Sequence, residues 1–158
     1  MSCYYKALPK FIPELILSAG YGREIAIVSP WIVNVTLLPP RFGDNSTSYT
    51  SSKISFNEFL VRVVRDFDMR IVFLIRPNDR RTYYALNAIV SAVPENVIIR
   101  EFEHIHAKMV VTPYFALETT ANMIPTSLFR NIESCTLVRN SFNDTRRYLN
   151  HKLGDHTI

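Results

Sequence analysis

The chain has 158 residues, 47% hydrophobic and 20% charged, with a formal net charge of +4 at pH 7. This composition is ordinary for a soluble globular protein, and no apolar run approaches the roughly 20 residues of a membrane span. Residues 1–10 lack the apolar core of a signal peptide, and two cysteines are too few for a disulfide framework. We therefore expect one domain over residues 1–158, located in the cytoplasm, whose mild charge permits a polyanionic partner.

Helical and strand patterns alternate along the chain. Periodic apolar residues predict helices over 8–19, 55–67, 80–92, 125–131 and 141–153. Short apolar runs predict strands over 24–29, 69–75, 97–100, 104–111, 114–117 and 132–138. This order predicts a three-layer α/β domain in which helices flank a mixed β-sheet.

Residues 38–53 differ from the rest, because Pro, Gly and small polar side chains dominate them. Such a run is typical of a long loop. A loop of this length in a compact domain is either a mobile connector or a lid that contacts substrate.

Two predicted strand ends carry candidate binding residues. Trp31 follows the first strand at its carboxyl end, where open α/β sheets tend to carry their sites, and it either closes the core or contacts a ligand. Arg76 follows the next strand, and Arg80 and Arg81 open the next helix. Arginines at a helix N-terminus oppose its dipole, so these three form either a solvated basic turn or an anion site.

The stretch from His104 to Asn122 holds the main candidate site. As an extended chain, it places His104, His106 and Lys108 on one face, which makes a poor core and a good anion site. A hairpin after Pro113 would return the polar run 118–122 to this face. Together these residues predict a cationic pocket. It would contain a histidine able to attack phosphorus or to donate a proton, and an amide able to orient a phosphate.

This stretch resembles the phospholipase D superfamily of phosphodiesterases and nucleases. The signature of that family is His-x-Lys, an Asp five residues after the Lys, and a Gly-Ser-x-Asn turn. The segment His106-Ala107-Lys108 matches the start, and Thr119-Thr120-Ala121-Asn122 is similar to the turn, while Pro113 stands in place of the Asp. The resemblance is specific over residues 98–139. The turns at Trp31 and Arg76 are also similar to turns of the family, the first of which lies near its phosphate pocket.

The resemblance implies a phospholipase D-like fold and a nuclease that needs neither metal nor cofactor. In that family one histidine forms a phosphohistidine and a second, from another motif copy, protonates the leaving oxygen. This chain carries one His-x-Lys, which implies a homodimer in which two subunits share one site. The resemblance also implies a nucleic-acid substrate, DNA rather than RNA, and no association with a membrane. The implied catalytic residues are His106, Lys108 and Asn122. The candidate substrate-binding residues are Thr120, His104, Glu118, Arg76 and Trp31.

Three alternatives stay open. Loss of the motif Asp leaves either a weakened enzyme or a module that binds nucleic acid without cleaving it, and Glu103, Glu118 or Glu133 could supply the missing carboxylate. His104, His106 and Glu118 are also residue types that bind zinc, although Lys108 on the same face would repel a cation. A lipid phosphodiesterase is the third alternative, disfavoured because no large acyl-binding insertion is present.

Overall fold

The computed structural model describes residues 2–4, 8–37, 54–124, 127–128 and 133–154. The helices are α1 (Leu8–Leu17), α2 (Phe56–Phe67), α3 (Arg80–Ala92) and α4 (Thr145–Leu153), with a 3-10 turn at Pro94–Asn96. The strands are β1 (Ser2–Tyr4), β2 (Glu24–Val28), β3 (Thr36–Leu37), β4 (Ile54–Ser55), β5 (Arg70–Ile75), β6 (Val97–Glu101), β7 (Met109–Val111), β8 (Phe115–Thr119) and β9 (Ser134–Arg139). The predicted loop over 38–53 and most of the predicted helix over 125–131 lie outside the described residues.

Seven strands form one mixed sheet in the order β1-β9-β8-β7-β2-β5-β6. Strands β2, β5 and β6 are parallel, whereas β7 is antiparallel to β2, and β8, β9 and β1 continue the antiparallel half. The central strand β2 is apolar from Ile25 to Val28 because both of its faces are buried. Strands β3 and β4 pair separately in a two-stranded sheet.

Helices cover both faces of the large sheet. On one face, Ile25 and Ile27 belong to a large apolar cluster with residues of α1, α2 and α3. On the other face, Ala26 and Val28 belong to a smaller cluster with Tyr148 and Leu149 of α4. The alternation of side chains along β2 therefore separates two cores. The predicted three-layer α/β fold with a mixed sheet is confirmed.

Polar caps fix where α2 and α3 begin. The Ser55 hydroxyl accepts a hydrogen bond from the Glu58 N–H at 3.2 Å, the arrangement of an N-cap serine with a glutamate three residues later. The Asp79 carboxylate accepts from the Thr82 N–H at 2.8 Å and from the Thr82 hydroxyl. Helix α3 therefore starts at the predicted residue, Arg80, directly after the end of β5.

The strand predicted to begin at His104 begins at Met109 instead, and residues 102–108 form an irregular linker. The sheet order explains the difference. The chain leaves the edge strand β6 and must pass the ends of β5 and β2, because β7 pairs with the far side of β2. Backbone on this path has no neighbouring strand to pair with, so the alternating sequence does not become a strand.

Cysteine pairing was not foreseen. The short strand β1, also absent from the sequence prediction, pairs with β9 so that Cys3 lies opposite Cys135. Cys135 is buried and disulfide-bonded. The low cysteine count therefore lends no support to a reducing compartment. Among the described residues, no helix has both the length and the apolar character needed to cross a membrane.

Candidate functional site

Four segments meet at one edge of the sheet. The parallel strands β2 and β5 both end there, followed by Ser29 and Arg76. Met109 of β7 pairs with Val28, so the linker 102–108 arrives at the same edge. Strand β8 returns along β7, and the Thr119 N–H donates to the Lys108 carbonyl at 3.0 Å. The predicted hairpin thus brings residues 119–122 back beside the histidine linker.

Arg76 and His106 are in direct contact at this edge. The Arg76 Nη2 lies 3.2 Å from His106 Nε2 and donates to the Ile105 carbonyl at 3.4 Å. A guanidinium has only donors, so Nε2 is the acceptor in this contact.

The Arg76 guanidinium has no carboxylate partner within the part of the chain that the structure describes. Its carbon lies 5.4 Å from the centre of the Trp31 ring, as a cation–π contact requires. Its Nε is buried without an acceptor among the described groups. A half-buried cation with an unused donor is a strong attractor for an anion.

Lys108 adds a second cation beside the histidine. Its Nζ donates to the His106 carbonyl at 2.7 Å, which leaves further ammonium donors for a ligand. This bond spans two residues and is possible because the linker is irregular at this point. Lys108 is half-buried, so its charge is only partly hydrated.

Asn122 is held at the same edge by its neighbour. The Met123 N–H donates to the Ser29 hydroxyl at 3.2 Å, and that hydroxyl donates to the Trp31 carbonyl at 2.7 Å. The Asn122 Oδ1 is buried without a hydrogen-bond partner in the described structure. Buried acceptors are rarely left unpaired, which points to a donor supplied by a ligand.

Two of the predicted substrate contacts, Thr120 and Glu118, have other partners in the structure. The Thr120 hydroxyl donates to the Glu133 carboxylate and accepts from the Ser134 N–H, because it fastens the turn between β8 and β9. Glu118 lies on the α4 face of β8, where it accepts from Tyr148 Oη at 2.7 Å and pairs with Lys152 Nζ at 2.7 Å. Neither side chain joins the cluster around His106.

The Glu118 arrangement has clear electrostatic consequences. Hydrogen bonds from Lys152 and Tyr148 lower the pKa of the Glu118 carboxyl below its usual range. Burial, and then the bond to that carboxylate, raise the pKa of the Tyr148 phenol. The zinc-ligand set proposed from sequence therefore does not assemble, since Glu118 is committed to α4. No three candidate metal ligands converge anywhere in the described ranges.

His104 does lie near His106, although not on a strand face. Both imidazoles line a pocket of about 330 Å³ between the linker and the end of α4. Pro113 lies in the turn after β7, at the opposite end of that strand from Lys108. Five extended residues span roughly 16 Å, so a carboxylate at position 113 would not reach His106.

Three contributors to this region were missed in the sequence. Ser29 is buried and links the loops of Trp31 and Met123 by hydrogen bonds. Its position directly after a predicted buried strand could have identified it from the sequence. Phe102 and Leu153 line the pocket beside His106. Nothing in the sequence indicates that Leu153 belongs to this region, because the packing of α4 brings it to the linker.

Taken together, the edge offers an imidazole, two cations and an amide. The cations suit a phosphate, and the imidazole lone pair suits attack on phosphorus or transfer of a proton.

Solved structures match nearly the whole chain at low sequence identity. Nuc from Salmonella typhimurium, a phospholipase D family member, aligns with a TM-score of 0.66 and 13% identity over 96% of this chain and 89% of its own. NucT from Helicobacter pylori aligns with a TM-score of 0.52 and 9% identity over 97% and 90%. TrmBL2, an archaeal chromatin protein with a novel mode of DNA binding, gives 0.54 and 13% over 97% of this chain and 49% of its own.

No protein-family model matches the sequence, and no curated protein matches it either. The similarity therefore lies in the arrangement of helices and strands, which diverges more slowly than sequence. The chain has the phospholipase D-like fold seen in Nuc.

Proposed function

We propose that this protein is a phosphodiesterase that cleaves nucleic acid without a metal ion, at a site built from His106, Lys108, Arg76 and Asn122. The observation that carries the proposal is the 3.2 Å contact between Arg76 Nη2 and His106 Nε2. It places a cation, which has no carboxylate partner among the described residues, directly against an imidazole. An incoming phosphodiester would be bound by the first group and attacked by the second.

Substrate binding would rearrange this contact. The non-bridging oxygens of a phosphodiester are stronger acceptors than an imidazole nitrogen, because they carry charge. The guanidinium would move to these oxygens and release the Nε2 lone pair for attack. Lys108 would hold the same oxygens from the other side, and Asn122 would accept from a donor on the substrate or from water.

Cleavage would then take two steps. His106 Nε2 attacks phosphorus, a P–N bond forms and the P–O bond to the leaving group breaks. The leaving oxygen takes a proton from His106 of the partner subunit, which enters this step as an imidazolium and becomes neutral. Water next attacks phosphorus, the P–N bond breaks, and the water proton returns to that second imidazole. Arg76 and Lys108 neutralise the charge that develops on the phosphoryl oxygens. One His-x-Lys in each chain makes a homodimer the natural way to supply both histidines.

A basic and aromatic surface next to the site favours nucleic acid as the substrate. Arg80 and Arg81 are exposed and have no ion-pair partner in the described structure. Tyr84, one turn further along α3, is 86% exposed. The Ile32 N–H donates to the Thr82 hydroxyl at 3.0 Å, which fixes this end of α3 beside Trp31. Cations that track a backbone and aromatic rings that stack on bases are the usual means of binding a strand.

A second candidate is a protein of the same fold that binds nucleic acid without cutting it. The specific observation in its favour is that Arg76 occupies the nucleophilic nitrogen of His106. The similar fold of TrmBL2, an archaeal chromatin protein, supports DNA as the partner in either case.

A nuclease assay in EDTA separates the two functions. We expect the purified protein to cleave DNA oligonucleotides, His106→Asn to lose cleavage while retaining most affinity, and His151→Asn to behave as wild type. His151 is a matched control because it is exposed on α4 and contacts Phe142, away from the site. Cleavage that persists in His106→Asn would exclude the proposed nucleophile. Binding without cleavage by the wild-type protein would establish the second candidate.

A further inference from the structure

The pocket beside His106 has the size of a small-ligand site. Its volume of about 330 Å³ lies at the lower end of the roughly 300–1,000 Å³ that such sites occupy. Six consecutive residues, 102–107, form most of its wall, and Leu153 at the end of α4 closes it. A long acyl chain would not fit into this space, whereas one ring system would.

The lining is apolar at its base and polar at its rim. Phe102, Ala107 and Leu153 pack on the apolar cluster under α4 and are partly exposed to the pocket. Glu103 and His104 are exposed at the rim. A carboxylate at the rim repels a second phosphate, so the pocket is not simply an extension of the anion site. It suits a flat group with an apolar face and hydrogen-bonding edges.

His106 connects this pocket to the anion site. The same side chain lines the pocket and contacts Arg76. A group in the pocket would therefore be separated from a phosphate on the guanidinium by the width of the His106 imidazole ring. In a polynucleotide the group at this distance from a phosphate is the nucleobase of an adjoining nucleotide.

We infer that the pocket of residues 102–107 and Leu153 is a nucleobase subsite for the nucleotide next to the bound phosphate. This inference rests on the proposed function, because it takes the Arg76 and Lys108 cluster as the phosphate site. The base packs between Phe102 and Leu153, and the Glu103 carboxylate accepts from its amino or imino N–H groups. The pocket thus holds the strand in register while His106 faces the phosphorus.

Calorimetric titration with three probes tests the inference on the intact protein. The probes are deoxyadenosine monophosphate, the corresponding deoxyribose phosphate without a base, and inorganic phosphate. We expect wild-type protein to bind the nucleotide about tenfold more tightly than the base-free sugar phosphate, the effect of stacking one base. Leu153→Trp, which fills the pocket, should lower nucleotide affinity to the level of the sugar phosphate and leave the sugar phosphate unchanged.

Two further variants control the experiment. Leu17→Trp places the same ring at another half-buried leucine, on α1, and should bind all three probes as wild type does. Phe102→Leu keeps an apolar lining without the ring and should reduce the preference for the nucleotide, which gives a second result if Leu153→Trp does not fold.

The outcomes separate the subsite from the phosphate site. Equal wild-type affinity for the nucleotide and the sugar phosphate would overturn the base subsite and leave the phosphate site intact. A nucleotide preference that survives both Leu153→Trp and Phe102→Leu would place the base elsewhere and also overturn it. If wild-type protein binds none of the probes, the phosphate site and the proposed function fail together.

Discussion

Arg76 and His106 are thirty positions apart in the sequence. They meet because Arg76 directly follows β5 and His106 lies shortly before β7, at the same edge of the sheet. Arg76 is anchored by Trp31 on one side and by the Ile105 carbonyl on the other. These two contacts hold the planar Arg76 guanidinium, with its N–H donors, against the His106 imidazole. A lysine could not make both contacts, because its single ammonium has no planar face to stack on an indole.

Substitution of Arg76 tests its role as an anion-binding group. We expect Arg76→Gln and Arg76→Lys to weaken binding of a short oligonucleotide by tenfold or more, since hydrogen bonds to charged groups contribute about 1.5–3 kcal/mol. Fluorescence anisotropy measures this effect. Arg65→Gln is a suitable control, because Arg65 is exposed on α2 and, among the described residues, donates to the Ala92 carbonyl at 3.3 Å. Unchanged affinity in Arg76→Gln would remove Arg76 from the phosphate site.

Glu118 gives a prediction about acid stability. Because Lys152 and Tyr148 lower its pKa in the folded protein, its contribution is fully present above the usual pKa of 4.5. It is lost as the pH falls through the lower folded-state pKa. Thermal unfolding from pH 7 to 3 should therefore show wild-type protein with a higher Tm than Glu118→Gln at pH 7, and a difference that shrinks below pH 4.5. A difference that does not depend on pH would contradict the assigned pKa direction.

At the scale of elements, the helix caps determine where the basic surface lies. Helix α3 starts at Arg80 because Asp79 accepts from the Thr82 backbone and hydroxyl. Thr82 in turn accepts from the Ile32 N–H, so the cap also fixes the segment that carries Trp31. One short sequence thus sets the helix start and ties it to the neighbouring loop of the site.

Removal of this cap should cost measurable stability. We expect Asp79→Ala to lower the free energy of unfolding by about 1 kcal/mol, within the usual 0.5–2 kcal/mol for such caps. Asn87→Ala, exposed on the same helix, should cost nothing because alanine is the better helix former. Urea denaturation measures both. If Asp79→Ala and Asn87→Ala were equally stable, the capping bond would not contribute.

At the scale of the whole molecule, a single motif in each chain leads to a prediction about assembly. We expect sedimentation at micromolar concentration to give twice the chain mass of 18.3 kDa, because two imidazoles are needed for the proposed two-step cleavage. A monomer with full cleavage activity would contradict the shared site.

The charge distribution leads to a second prediction at this scale. Arg80 and Arg81 lie beside the site, and phosphate contacts release counterions. The double change of Arg80 and Arg81 to Gln should make the plot of log affinity against log salt shallower by up to roughly 1.4, two contacts at about 0.7 each for single-stranded DNA. The same double change at Arg62 and Arg65 on α2 should leave the slope unaltered.

Much of the fold could be predicted because it depends on local patterns. The apolar runs of β2 and β5 are typical of buried strands. Ser55 and Asp79 are residue types that cap helices, and they cap α2 and α3. The predicted hairpin after Pro113 is also present, and it returns Thr119 to Lys108. These features need only the periodicity and spacing of neighbouring residues.

Only the tertiary structure decided which side chains share the site. Glu118 on β8 and Lys108 directly before β7 are close in the fold, yet the carboxylate faces α4 and the ammonium lies beside His106. The linker 102–108 is irregular because β7 inserts next to β2, and this insertion also brings Leu153 to the pocket. Strand order and helix docking depend on how the two apolar cores pack. Because that packing joins residues far apart in the chain, no local pattern of the sequence specifies it.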